Sequence, residues 1–207
     1  MNAVIVIGKN VSPKLAKARC KGAFVFGADQ GAEYCIEHGI RVDIAVGDFD
    51  SVTPEAKAKI AQNSARFIEL PPHKDMTDTA HALFLCGENF PSITILGGIA
   101  GDRIEHFLAN VDLLRAHPNK LFLEDDDSLC FALSKSTVAV TKAECEYVSL
   151  FALEEATVTA TGFEYPLTSA TLTVGNPIGV SNELRDENGS IHVEKGLVLV
   201  IYHRRKH

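Results

Sequence analysis

The chain has 207 residues, a formal net charge of −7, 46% hydrophobic residues and no tryptophan. That length suits one or two domains and buries roughly 70% of the surface an unfolded chain exposes, so no covalent staple is required. The acidic balance argues against a nucleic-acid binder or an anionic-membrane binder, and no apolar run approaches the ~20 residues of a membrane-crossing helix.

The apolar start lacks a basic flank and a cleavage pattern, so no signal peptide is expected. AVIVI (3–7), AFVF (23–26), DIAV (43–46), RFIEL (66–70), SITIL (92–96) and KLFLE (120–124) read as strands. Helical patterns fall between them, near 12–19, 30–38, 54–62, 77–87 and 103–116. Alternating strand and helix, with several strands continuously apolar, predicts a mostly parallel sheet covered on both faces, a Rossmann-like α/β domain. The acidic run Glu124–Asp127 reads as a solvated linker. Beyond it the pattern changes to short Val- and Thr-rich runs: STVAVT, EYVSLFAL, ATVTAT, YPLTSATLTV, SIHVEK and LVLVIYH. NGS (188–190) reads as a turn before IHVE. A smaller all-β sandwich is expected there, giving domains 1–127 and 128–207. The basic tail, residues 203–207, reads as a solvated end. Five widely spaced cysteines without a CxxC pair predict buried thiols in a reducing cytoplasm.

Ligands of open α/β sheets bind beyond the carboxyl ends of the strands, so chemistry is sought in the segments that follow them. After DIAV comes Gly47-Asp48-Phe49-Asp50-Ser51. Residues two apart in an extended segment share a side, which would pair Asp48 with Asp50 and turn Phe49 into the protein. Two adjacent carboxylates repel unless a cation lies between them, and oxygen ligands of this kind suit Mg²⁺ with substrate phosphates. Thr53 and Pro54 read as the cap and first position of the next helix. After RFIEL, the segment PPHKDMTD offers Lys74, Asp75, Thr77 and Asp78. Asp75 or Thr77 can cap a helix there, and the acids can equally complete the Asp48/Asp50 group. After SITIL come Gly97, Gly98, Gly101 and Arg103, a turn that lets backbone approach a phosphate and a guanidinium that can grip it in two places. Asp29 and Gly31 follow the second strand on the same rim. His106 reads as a core or capping histidine. No Walker loop, GxGxxG, HExxH, Cys/His metal spacing or GxSxG elbow is present. A phosphorylated ligand with Mg²⁺ is the leading reading.

The ordered set ADQGA, GDFDS, KDMTD, GGIAGDRIEHFLAN and SNE, spanning 28–183, resembles the thiamine pyrophosphokinase family. The resemblance implies an ATP-binding α/β domain, a thiamine-binding β-sandwich, and a homodimer with thiamine bound where the subunits meet. It implies transfer of pyrophosphate from ATP to the thiamine hydroxyl, releasing AMP. By position, Asp48, Asp50, Asp75 and Asp78 look like the catalytic acids, with Asp48, Asp50 and Asp78 as metal ligands. Asp29, Gly31, Lys74, Thr77, Gly98 and Arg103 look like ATP and phosphate contacts. Ser181 and Asn182 look like thiamine contacts. The chain differs from the family pattern at Gln30 and Asp102, where glycine is usual, and at Glu105, where Asp is usual. Another alcohol, such as a hydroxymethylpterin, and a non-catalytic nucleotide-binding regulator are the competing readings.

Overall fold

The computed structural model describes residues 1–72, 75–101 and 103–204. These form two compact units: one of 1–110 with 123–126, the other of 111–122 with 127 onward. Each has its own core.

The first unit is built on β1 (Ala3–Val6), β2 (Phe24–Ala28), β3 (Val42–Gly47), β4 (Ser64–Glu69) and β5 (Ile93–Leu96), in the order β5-β1-β2-β3-β4. All four pairings are parallel. β1 is buried at every position, as an inner parallel strand requires. β4 carries Arg66 and Glu69, and its half-exposed pattern suits its place at the edge. Helices α1 (Pro13–Cys20), α2 (Gln30–Glu37), α3 (Pro54–Asn63) and α4 (Asp78–Cys86) cover the sheet. Local chemistry starts them: the Ser12, Thr53 and Thr77 hydroxyls accept from backbone N–H groups three residues on, and Pro13 and Pro54 open α1 and α3. Thr77, not Asp75, is therefore the cap of α4.

β6 (Leu121–Glu124) ends in the acidic run, which is not a solvated linker. Glu124 is 1% exposed and takes two charge-assisted hydrogen bonds from Arg19, at 2.7 and 2.6 Å. Asp126 accepts from the Ser12 backbone and hydroxyl, fixing the start of α1. A buried carboxylate needs such partners, and Glu124 has them. α5 (Ile104–Ala116) is shared between the two units.

The second unit holds β7 (Ser128–Leu133), β8 (Ser136–Thr141), β9 (Tyr147–Ala152), β10 (Ala156–Thr161), β11 (Leu167–Leu172), β12 (Gly179–Asn182), β13 (Asn188–Lys195) and β14 (Val198–His203). They run antiparallel in two sets, β12-β9-β14-β7 and β11-β10-β13-β8. One core receives side chains from both, including Phe131, Val148 and Val200 from one set and Val158, Ile191 and Val193 from the other. This is the expected sandwich. Asn188 and Gly189 are not a turn: they pair with Thr141 and Val140 as the first residues of β13. All five cysteines are buried. No helix among the described residues is long and apolar enough to cross a membrane.

Candidate active site

A cavity of about 700 Å³ opens in the first unit, lined by residues that follow β1, β2, β3 and β5 together with Asp78 of α4. Its carboxylates are Asp29, Asp48, Asp50 and Asp78, and its described cations are Lys9 and Arg103. Carboxylate oxygens of Asp29, Asp48 and Asp50 all lie within 4.8 Å of one another.

The pairing of Asp48 with Asp50 does not come from strand alternation. β3 ends at Gly47, and Phe49 takes a left-handed φ of 55°. That conformation costs an L-residue about 1–2 kcal/mol. Burial of the ring offsets it: Phe49 is 3% exposed and stacks on Phe67 with centroids 4.7 Å apart. Phe49 thus anchors the turn that turns both flanking acids to the cavity.

Asp29 is held in a conformation glycine would favour, with φ 50° and ψ −120°. Its backbone N–H donates to the Val46 carbonyl at 3.0 Å, tying the turn after β2 to β3. The Ser51 hydroxyl donates to one carboxylate oxygen, and the other oxygen is buried without a partner. Burial pushes the Asp29 pKa up, the Ser51 hydroxyl and the Gln30 backbone N–H oppose this by stabilising the charged form, and Asp78 and Asp48 push it further up. An unpartnered buried oxygen beside two more carboxylates is the arrangement a hard divalent cation satisfies, and an all-oxygen donor set suits Mg²⁺. The residues fit the ion. Asp29, read from sequence as a phosphate contact, stands in the acid group.

The other expected residues occupy varied positions. Asp78 lines the cavity from the first turn of α4. Asp75 is exposed, and Thr77 spends its hydroxyl on the Ala80 N–H at 3.1 Å. Lys74 lies outside the described residues, as do Asp102 and the last three residues of the basic tail. Gly31 is buried against β1: a Cβ there would stand 2.0 Å from the Val6 carbonyl oxygen, so glycine lets α2 pack on the sheet. Gly98 lines the cavity with φ 77°. The buried Asn110 donates to its carbonyl at 3.3 Å, so the helix that follows the Gly-rich turn also holds it. Arg103 Nε donates to Glu105 Oε1 at 2.7 Å, both side chains being exposed.

In the second unit, Ser181 and Asn182 end β12. Ser181 has φ 54°, and its N–H donates to Ser149 Oγ at 3.0 Å. Asn182 clamps a neighbouring backbone: its Nδ2 donates to the Tyr165 carbonyl at 2.8 Å, and its Oδ1 accepts from the Tyr165 N–H at 3.2 Å.

Residues 16–123 match the family described as thiamin pyrophosphokinase, catalytic domain, and residues 135–198 match thiamin pyrophosphokinase, vitamin B1 binding domain. Thiamine pyrophosphokinase of Bacillus subtilis is 31% identical over 199 residues, covering 93% of each chain. A crystal structure of thiamine pyrophosphokinase from Bacillus subtilis superposes over 100% of both chains with a TM-score of 0.87 and 28% identity. A thiamin pyrophosphokinase structure from Geobacillus thermodenitrificans covers 100% of this chain and 99% of that one, with a TM-score of 0.86 and 28% identity. The chain belongs to the thiamin pyrophosphokinase family.

The activity that goes with this membership is ATP-dependent pyrophosphoryl transfer to thiamine. The match at 135–198 separates thiamine from the other alcohols considered and the paired catalytic match disfavours a pure regulator. Among thiamin pyrophosphokinase positions, Gln30 lines the cavity at the start of α2, and Glu105 is the partner of Arg103. Sequence reasoning passed over Lys9, Asn10, Ser51 and Asn110, and set His106 aside although it lines the cavity. The signal for Lys9 and Asn10 was available, because GKN directly follows the first strand region.

Proposed function

We propose that the acid-lined cavity of the first unit binds ATP with Mg²⁺ and that residues 128–207 carry thiamine recognition. The observation that carries this reading is the buried, unpartnered oxygen of Asp29 beside Asp48 and Asp50. Asp29, Asp48 and Asp50 would hold the ion, with Asp78 on the same wall. Bound there, Mg²⁺ supplies positive charge to the polyphosphate. Arg103 donates to phosphate oxygens with a guanidinium that Glu105 already orients, and Gly98 keeps the backbone clear of the ligand. The thiamine hydroxyl oxygen forms a bond to the β-phosphorus and the bond to the α–β bridging oxygen breaks. AMP leaves with the electron pair, and the hydroxyl proton passes to solvent water. Holding these groups in place supplies most of the acceleration in such transfers.

The family matches at 16–123 and 135–198 support a catalytic part within 1–127 and a thiamine-binding part within 128–207. A homodimer in the cytoplasm is part of the same reading. Exposed Ile104 (66%) and Leu108 (58%) on one face of α5, and exposed Tyr165 and Ile178 in the second unit, favour association. Chromatography of a reaction with ATP, Mg²⁺ and thiamine tests the chemistry. We expect AMP and thiamine diphosphate in equal amounts. ADP with thiamine monophosphate would overturn it. Sedimentation of the purified chain tests the dimer, which a monomer at micromolar concentration would refute.

A further inference from the structure

The strand order also orders the charges beyond the sheet. Because the strands run β5-β1-β2-β3, the segments after them follow as the Gly-rich turn with Arg103, the loop 7–12, the Asp29 turn and Asp48–Ser51. Along this edge the charges read Arg103, Lys9, Asp29, then Asp48 and Asp50. Among the described residues, these cations stand at one end and these carboxylates at the other, and all five line one cavity.

Lys9 sits on a loop fixed at several points. The Tyr34 hydroxyl donates to the Val11 carbonyl at 2.6 Å, and Ser12 is tied to Asp126. Asn10 Nδ2 donates to the Ala100 carbonyl at 3.0 Å, joining the loop to the Gly-rich turn. The Lys9 ammonium meets Glu33 Oε2 at 2.7 Å, and the Lys9 side chain is 46% exposed. One contact occupies one of its three N–H donors and leaves two for another acceptor. Glu33 also raises the Lys9 pKa through its hydrogen bond and so keeps the charge in place.

We propose that Lys9 is a phosphate-binding residue for ATP, its ammonium offering the donors that Glu33 leaves unused to the polyphosphate between the acid group and Arg103. A polyphosphate lying along the strand ends meets cations where the acids stop. The inference rests on ATP occupying this cavity.

Steady-state kinetics over a range of salt, with Mg²⁺ saturating, test it. Lys9→Met should raise KM for ATP about tenfold, the scale of one lost charge-assisted hydrogen bond, and leave KM for thiamine within about twofold. The salt dependence of the ATP KM should flatten, since one screened attraction is gone. Lys9→Arg should recover most of the loss. Glu33→Gln keeps the ammonium and should change the ATP KM by less than about threefold. An unchanged ATP KM in Lys9→Met would overturn the proposal, and so would a Glu33→Gln variant that reproduces the loss, because Lys9 would then serve only its ion pair. Should Lys9→Met fail to fold, Lys9→Gln retains a donor for Glu33 without the charge and is expected to show the same rise. Asp48→Asn separates the two readings: if it and Arg103→Lys both leave ATP use unaltered, the cavity itself is misassigned. If they impair it while Lys9→Met does not, only Lys9 is.

Discussion

The acid group of the first unit and the Ser181–Asn182 segment of the second both carry family motifs, yet they differ in how their polar atoms are used. Asp29 keeps one buried oxygen without a partner and sits in a backbone conformation that a side chain resists. Asn182 engages both ends of its amide with the backbone of Tyr165. The first arrangement is costly until something arrives to satisfy it. The second already has a protein partner at each end of its amide. A motif residue can therefore act on a ligand directly, or it can fix the backbone that meets the ligand. Which of the two applies is decided by its remaining hydrogen-bonding capacity.

The largest effect should come from breaking the unsatisfied side of this contrast. Asp48→Asn or Asp50→Asn should leave the fold intact, because neither carboxylate belongs to the core, and lower turnover by about 10²-fold or more. Near-normal turnover at limiting Mg²⁺ would remove the metal assignment. Arg103→Lys comes next. Lysine keeps the charge but loses the fork that can hold Glu105 and a phosphate together, so ATP affinity and turnover should both fall, by about tenfold. A variant equal to the parent would make Arg103 a surface residue.

Asn182→Ala tests the satisfied side. It removes two hydrogen bonds that bracket Tyr165, at an exposed site where water can replace them, so the stability loss should be about 1 kcal/mol. The thiamine KM should rise severalfold with the ATP KM nearly unchanged, because the freed segment lies in the second unit. Equal losses for both substrates would show that Asn182 supports the fold as a whole.

The same contrast explains what could be read from the sequence. The α/β order was legible because inner parallel strands are continuously apolar, and because Thr53 and Thr77 announce helices by chemistry that acts within three residues. β7 escaped notice because it starts directly after an acidic run with no turn signal, and β12 because its four residues, GVSN, favour turns over strands. The NGS reading failed because long-range pairing with β8 overrode a local turn preference. The acids after β3 were legible as two carboxylates beyond a buried strand. Their geometry was not, since the left-handed φ of Phe49 depends on a stacking partner, Phe67, from another strand. Nor could local sequence reveal that the Asn182 amide is spent on Tyr165, or that Asn110 reaches back twelve positions to Gly98.

The smallest effect, and the most direct measure of the contrast, concerns Asp29 without its ion. Burial raises its folded-state pKa above the ordinary carboxylate value, as do the facing Asp78 and Asp48. Its folded form therefore binds a proton more readily than its unfolded form. By linkage, Asp29 lowers the stability of the metal-free protein at neutral pH, and the penalty is relieved as pH falls through the folded-state pKa. Asp29→Asn removes the charge, keeps the shape and retains the backbone conformation. In chelator at pH 7 the variant should melt slightly above the parent, and the gap should close as pH falls through the parent's folded-state pKa. The other carboxylates are common to both proteins and largely cancel in the difference. Added Mg²⁺ should raise the melting temperature of the parent more than that of the variant, since a bound ion stabilises the state that binds it. A variant less stable than the parent at pH 7 in chelator would mean that the Asp29 charge is already satisfied within the protein, and the distinction between the two motif regions would fail.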